Sequence, residues 1–186
     1  MRLVIFGPPG AGKGTQAQFV AQHYAITHVS TGDIFRENIR NQTPLGVEAK
    51  RYADEGNLVP DDLTNAMVRT RLSEPDCRDG FLIDGYPRTI YQADTFEALL
   101  AEWHVQLDAV INMIVPDEEI IERLSKRGRS DDSAQTIIHR LDVYHGTTQP
   151  LIKYYGERNL LRDVQGVGPI DIISRRIFES LNHLPV

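Results

Sequence analysis

Gly7-Pro8-Pro9-Gly10-Ala11-Gly12-Lys13-Gly14-Thr15 follows directly on the apolar run Leu3-Val4-Ile5-Phe6. A buried strand that runs into a glycine-rich turn and then a helix is the setting a phosphate-binding loop requires. The glycines let the backbone curl so that successive N–H groups point inward, and the helix adds its positive end. Lys13 stands where its ammonium reaches the outer phosphates. The general pattern ends in Gly-Lys and then Ser or Thr, whereas here Gly14 follows the lysine and Thr15 comes one place later. Strand, spacing and lysine together outweigh an ordinary structural turn. The stretch predicts binding of a nucleoside triphosphate.

Outward from this loop, short apolar runs alternate with helical patterns, which is the signature of a parallel sheet covered on both faces. The pattern predicts strands at about 2–6, 28–30, 80–84, 108–115 and 160–165. It predicts helices at about 13–24, 31–41, 44–54, 61–73, 89–102, 117–127, 132–155 and 169–183. Asp117 after Pro116 reads as a helix cap, with Ile120, Ile121 and Leu124 at helical spacing behind it. Ile137, Leu141 and Tyr144 set the buried stripe of the next long helix. Residues 31–74 hold three helices where one crossover helix suffices, so a helical insertion is expected to project from the sheet there. The polar link 125–132 joins two helices beside the same cleft.

Composition narrows the partners. At 186 residues the chain suits one domain with a substantial core. A formal net charge of −6 argues against an extended nucleic-acid surface, which needs a basic face. No apolar run approaches a membrane span, and the chain enters its first strand at once, so a soluble, cytoplasmic protein is expected. Cys77 is the sole cysteine, which excludes an intramolecular disulfide and any multi-cysteine metal site. Its polar surroundings, Ser73 to Gly80, read as a loop and the thiol as incidental.

A second constellation follows Phe81-Leu82-Ile83-Asp84, an apolar strand ending in a carboxylate. In a phosphate-loop protein such an acid orients Mg²⁺, directly or through water; the same position also suits a helix cap. Gly85-Tyr86-Pro87-Arg88 comes next, and this stiff turn holds Arg88 at the top of the sheet, where phosphates lie.

With these segments the chain resembles the adenylate kinases of the short-lid bacterial type, essentially end to end. The matching stretches are GPPGAGKGT (7–15), STGDIFR (30–36), GNLVPDDLT (56–64), GFLIDGYPRT (80–89) with Gln92, RGRSDD (127–132), and Arg140 followed by Asp142-Val143-Tyr144. Tyr86 stands where the family usually carries phenylalanine, and Gln165 where aspartate is common. The resemblance implies an α/β P-loop fold with a five-stranded parallel sheet flanked by helices. It implies a single kinase domain over 1–186, an AMP-binding insertion at 30–59 and a short lid at 126–132 without zinc.

The reaction implied is MgATP + AMP ⇌ 2 ADP, run by a monomer with Mg²⁺ as its only cofactor. Gly10, Ala11, Gly12, Lys13, Gly14 and Thr15 would cradle the ATP phosphates. Arg127 would meet ATP, Gly168 would touch its base, and Arg123 is a weaker candidate for stacking there. Thr31, Arg36, Asn57, Leu58, Val59, Gly85, Tyr86, Pro87, Arg88 and Gln92 would bind AMP, with Gln92 reading the adenine edge. Arg129 and Arg140 would bridge the two phosphate chains, and Asp84 would hold Mg²⁺, through water. Lys13, Arg88, Arg127, Arg129 and Arg140 form the implied catalytic set. Asp131 and Asp132 suit either a cap for the following helix or ion pairs with arginines of the lid.

The nearest rival is a uridylate–cytidylate kinase; Thr31 and Gln92 favour AMP over a pyrimidine monophosphate. A guanine-reading switch is disfavoured because none of the lysines follows an asparagine. Exhaustive zinc chelation followed by restored Mg²⁺ is expected to leave ADP formation unchanged. Loss of folding on chelation, seen by circular dichroism, would contradict a zinc-free lid.

Overall fold

The computed structural model describes residues 1–128, 133–182 and 184. In chain order the elements are β1 (Arg2–Phe6), α1 (Lys13–Tyr24), β2 (Thr27–Ser30), α2 (Thr31–Arg40), α3 (Pro44–Glu55), α4 (Asp61–Leu72), β3 (Phe81–Asp84) and α5 (Ile90–Glu102). Then come β4 (Ala109–Ile114), α6 (Asp117–Arg127), α7 (Ala134–Val143), α8 (Pro150–Gly156), β5 (Leu161–Gln165) and α9 (Ile170–Leu181). The five strands are parallel, in the order β2-β3-β1-β4-β5. β1 is central, with Val4 level with Ile83 on one side and Val110 on the other.

Alternation along β1 builds two cores at once. Leu3 and Ile5 face a layer completed by Val20 of α1, Leu124 of α6, Leu141 of α7 and Ile177 of α9. Val4 and Phe6 face the opposite layer, with Val68 of α4, Phe96 of α5 and Tyr155 of α8. Burial on both faces is why the strands read as continuous apolar runs. The sheet is therefore rigid, and its carboxyl ends can hold side chains in fixed places. No helix among the described residues is long and apolar enough to cross a membrane.

Between β2 and β3 lies the expected helical excursion. Ser30 caps α2 by accepting from the Asp33 N–H at 3.2 Å. Thr43 caps α3 by accepting from the Gly46 N–H at 3.0 Å, with Pro44 opening the helix. Gly46 is required by close approach: a Cβ there would stand 2.0 Å from the Asn38 carbonyl oxygen on α2. The two helices are thus locked together as a pair.

Four expectations are corrected. The helix predicted over 132–155 is interrupted by a π-helical turn at Tyr144–Thr148. Pro150 has no N–H for the Gly146 carbonyl, and the chain re-registers through a 2.8 Å bond from the Gln149 N–H to the Tyr144 carbonyl. Pro116, not Asp117, occupies the cap of α6; Asp117 lies in the first turn, 2.9 Å from His145 Nε2. Ile121 is exposed, while Ile120 and Leu124 are fully buried, because the apolar stripe is narrower than the spacing suggested. Cys77 is buried in a 3₁₀ turn, Pro75–Cys77, against the Arg71 guanidinium, and burial pushes its thiol up to about 11.

Gly46→Ala is expected to cost about 2 kcal/mol, the usual size of core overpacking. For a chain of this length that lowers Tm by roughly 4–8 °C in calorimetry. An unchanged Tm would mean that the two helices separate freely.

Candidate functional site

A cleft of about 660 Å³ opens over the carboxyl ends of β1, β2 and β3, between the α2–α3 pair and α6–α7. Its floor is the loop from Gly7 to Thr15. Gly10 has φ 81°, and a Cβ there would meet Leu124 of α6 at 2.7 Å, so only glycine lets the loop pass. Gly12 caps α1 without any side-chain bond to the helix start. The first-turn N–H groups are left for a ligand, and the helix dipole favours an anion there.

Lys13 donates from Nζ to the carbonyls of Gly7 and Pro8, each at 2.9 Å. Its pKa is lowered to about 8, first by desolvation in the cleft. Asp84 opposes the shift, and the positive charges of Arg88 and Arg127 add to it. Asp84 ends β3 with its side chain only 9% exposed, beside the Lys13–Gly14 turn.

Gly85 has φ 87° and turns the chain from Asp84 toward Arg88, which donates from Nε to the Gly85 carbonyl at 2.7 Å. The Arg88 pKa is lowered by desolvation and by Arg140 and Arg36, against Asp84. Solvent still reaches its guanidinium, because the cleft stands open. Thr148 accepts nothing here; its hydroxyl donates to the Arg88 carbonyl at 3.0 Å and fixes that backbone.

Thr31 is 2% exposed and donates to the Asp84 carbonyl at 3.2 Å, tying β2 to β3 at the cleft wall. Arg36 lines the cleft and pairs with Asp33 at 2.5 Å. Leu58 and Val59 line the wall, and Asn57 beside them lies 2.7 Å from His139 Nε2 of α7. Gln92 lies at the inner end, hydrogen-bonded to the Arg88 N–H and to Asp61. Arg123 lines the opposite wall and is held by Glu119 and by the carbonyls of Ala11 and Gly166. Arg127 and Arg140 also line the cleft, and Arg140 donates to the Ala53 carbonyl at 3.4 Å.

Three of the sequence-predicted residues do not line it. Ala11 is buried beneath the loop, Tyr86 is 1% exposed behind Gln92, and Gly168 stands apart in the loop after β5. Tyr86 contributes from behind: its hydroxyl sits 2.7 Å from Asn65 Oδ1 and 3.1 Å from the Gln92 carbonyl. Arg129, with Asp131 and Asp132, lies outside the described residues. Sequence reasoning passed over Asp61, Asn65 and Thr148. Asp61 stood in a quoted motif, but its link to Gln92 spans 31 positions and carries no local signal.

Comparison with known proteins adds the family. A family model described as adenylate kinase matches residues 5–160. An adenylate kinase of Nocardioides sp. is 50% identical over 189 residues, covering 100% of this chain and 99% of the relative. One from Thermobifida fusca is 51% identical over 185 residues, covering 97% and 98%. One from Acetivibrio thermocellus is 44% identical over an alignment of 213 positions, covering 98% of each chain. That alignment exceeds the 186 residues here, so the last relative carries segments this chain lacks.

The lowered Lys13 pKa sets a direction for pH dependence. A cation whose folded pKa lies below its unfolded value leaves the unfolded chain binding more protons between about 8 and 10.5. Stability of the ligand-free protein should therefore gain from this group as pH rises through that window. Phosphate oxygens reverse the preference, so ATP binding at pH 8 is expected to take up about half a proton. Calorimetric titration in buffers of different ionisation enthalpy measures this uptake, which should vanish in Lys13→Met.

Proposed function

The chain belongs to the adenylate kinase family, and we propose that it catalyses MgATP + AMP ⇌ 2 ADP through the residues gathered in this cleft. The observation that carries the assignment of residues is electrostatic. Among the described residues, Lys13, Arg36, Arg88, Arg123, Arg127 and Arg140 line the cleft against only two carboxylates, Asp33 and Asp84. The chain as a whole carries a net charge of −6. Cations concentrated in one cleft of an acidic protein select a polyanion.

ATP phosphates occupy the loop from Gly10 to Thr15, and Lys13 exchanges its two carbonyl partners for phosphate oxygens. Charge-assisted bonds to phosphate are stronger than bonds to neutral carbonyls, so the exchange favours the bound state. AMP enters between Thr31, Arg36, Leu58, Val59 and Arg88, with its base toward Gln92. An AMP phosphate oxygen is already anionic near neutral pH and attacks without a general base. No histidine or cysteine lines the cleft among the described residues.

Transfer then depends on in-line placement and on cationic stabilisation of the equatorial oxygens. Arg88 and Arg140 face the cleft from two different walls, and planar guanidinium forks suit oxygens shared between donor and acceptor. Arg127 and Arg129 complete the set from the lid. Asp84 fits a hard divalent cation: its carboxylate in the cleft would hold Mg²⁺ through water and leave the remaining positions for phosphate and water. Mg²⁺ held there supplies charge neutralisation. Closure of 30–59 over AMP and of 126–132 over ATP excludes water, which prevents hydrolysis. The enzyme works in this reading as a monomer in the cytoplasm.

A coupled assay of ADP formation tests the reading. Turnover is expected only with ATP, AMP and Mg²⁺ together, with AMP far ahead of CMP, UMP and GMP. Equal turnover with UMP or CMP would sink the choice of substrate and spare the kinase class. Arg88→Ala should cut kcat about a thousandfold, the scale of one lost charge at a transferring group, about 3–4 kcal/mol. More than a tenth of normal activity in the folded variant would remove Arg88 from the catalytic set.

A further inference from the structure

Gln92 is 2% exposed in the first turn of α5, at the inner end of the cleft. Its Oε1 accepts from the Arg88 N–H at 2.7 Å, and its Nε2 donates to Asp61 Oδ1 at 2.7 Å. The other Asp61 oxygen accepts from the Thr89 hydroxyl at 2.9 Å, so the carboxylate itself is anchored. Thr89 in turn caps α5 by accepting from the Gln92 N–H at 3.1 Å. Asp61 does not line the cleft; it stands behind the residue that does.

A carboxamide offers two acceptor lone pairs and two N–H donors in one plane. Here one lone pair and one N–H are already engaged. Both partners are one-way: a backbone N–H only donates, and a carboxylate only accepts. Turning the amide by 180° would set its oxygen against the Asp61 carboxylate and its NH₂ against the Arg88 N–H. Both partly buried bonds would become repulsive contacts, which is more costly than losing them to solvent. The amide therefore has one permitted sense, leaving one acceptor and one donor for a ligand.

That remaining pair suits a base edge with a donor beside an acceptor, as in the 6-amino group and N1 of a 6-aminopurine. A 6-oxopurine presents the reverse, an acceptor beside an N1–H donor. A free glutamine would serve either by turning over. We propose that Asp61 is a positioning residue which, together with the Arg88 N–H, fixes the sense of the Gln92 amide and thereby strengthens selection of 6-aminopurine over 6-oxopurine monophosphates. The proposal rests on the assignment of Gln92 to the base of AMP.

The structural alternative is that Asp61 merely places negative charge in the first turn of α4, where the helix dipole favours it. The two differ in what a neutral, isosteric replacement does to selectivity. In Asp61→Asn the new amide can face Gln92 with either its oxygen or its NH₂, so one of the two contacts that hold the sense is lost and only the Arg88 N–H still opposes turning. In Asp61→Ser a hydroxyl that both donates and accepts does the same in a smaller volume.

The experiment compares kcat/KM for AMP and for inosine monophosphate at saturating MgATP in wild type, Asp61→Asn, Asp61→Ser and Gln92→Ala. Tm is measured for each. The AMP preference is expected to fall about tenfold or more in both Asp61 variants, the scale of one lost charge-assisted hydrogen bond. The change should lie in KM for the monophosphate, with KM for ATP unmoved. A purely structural role would lower Tm and leave the ratio where it was. If both Asp61 variants keep the wild-type ratio while Gln92→Ala loses it, the orienting role is overturned and the base assignment stands. If Gln92→Ala also keeps the ratio, Gln92 does not read the base and both readings fall together.

Discussion

Six cationic side chains share one cleft with two carboxylates, and their mutual repulsion is the constraint that the rest of the site answers. Without an anion each cation needs a partner that holds it in place and releases it easily. Lys13 rests on two loop carbonyls, Arg88 on the carbonyl of Gly85, and Arg36 on Asp33 one turn away. Arg123 is spread over Glu119 and two carbonyls. Most of these partners are neutral backbone oxygens, and exchanging such an oxygen for an anionic one strengthens the bond. The rigid sheet makes this workable. The loop and the turn after β3 are anchored in strands with no exposed face, and the cations cannot relieve their repulsion by drifting apart.

The α2–α3 pair and α7 are held in contrasting ways. Within the pair, Gly46 allows backbone contact, so the two helices move as one body. Against α7, the described contacts include the Asn57–His139 bond, the Arg140 bond to the Ala53 carbonyl, and Gly56 beside Thr136, His139 and Arg140. Partly exposed hydrogen bonds of this kind contribute about 1 kcal/mol each, far less than a buried apolar interface. These polar contacts join the insertion to α7 on the rim of the cleft. Arg140 sits on that joint, so the position of the insertion and the placement of a cleft-lining guanidinium are linked.

What was legible in the sequence follows from how local each determinant is. The strand, loop and helix over 2–24 were readable because burial on both faces leaves an uninterrupted apolar run, and glycines and a lysine mark the turn. The helices over 44–54 and 89–102 were readable in the same way, because each begins beside a cap, Thr43 or Thr89, that acts within three residues. The π-helical turn after α7 had its signals in view, Gly146 and Pro150, yet the continuous apolar stripe through Tyr144 masked them. Cys77 reads as an incidental loop thiol because its neighbours are polar, whereas it is buried with Arg71, six residues back, against its sulfur. The family resemblance supplied Gln92 but not the carboxylate behind it. Asp61, Asn65 and Thr148 act across 31, 21 and 60 positions respectively, distances at which sequence carries no periodicity.

Tyr86 shows how such distant partners decide whether a change is tolerated. The family usually carries phenylalanine here, and burying an extra hydroxyl without a partner costs on the order of 1–3 kcal/mol. The site provides two oxygens, Asn65 Oδ1 and the Gln92 carbonyl, for a hydroxyl with a single proton. One is satisfied by donation. The other contact becomes favourable only if the Asn65 amide turns to present its NH₂, which leaves the hydroxyl free to donate to Gln92. Either arrangement leaves no buried polar atom of Tyr86 unmet, and the second adds a bond to the backbone of Gln92, which lines the cleft. Burial raises the Tyr86 pKa, so the group stays a neutral phenol and keeps the proton that this bond requires. The aromatic exchange is therefore not silent packing: it trades an apolar contact for a fastening on the first turn of α5, where the orientation of Gln92 is set.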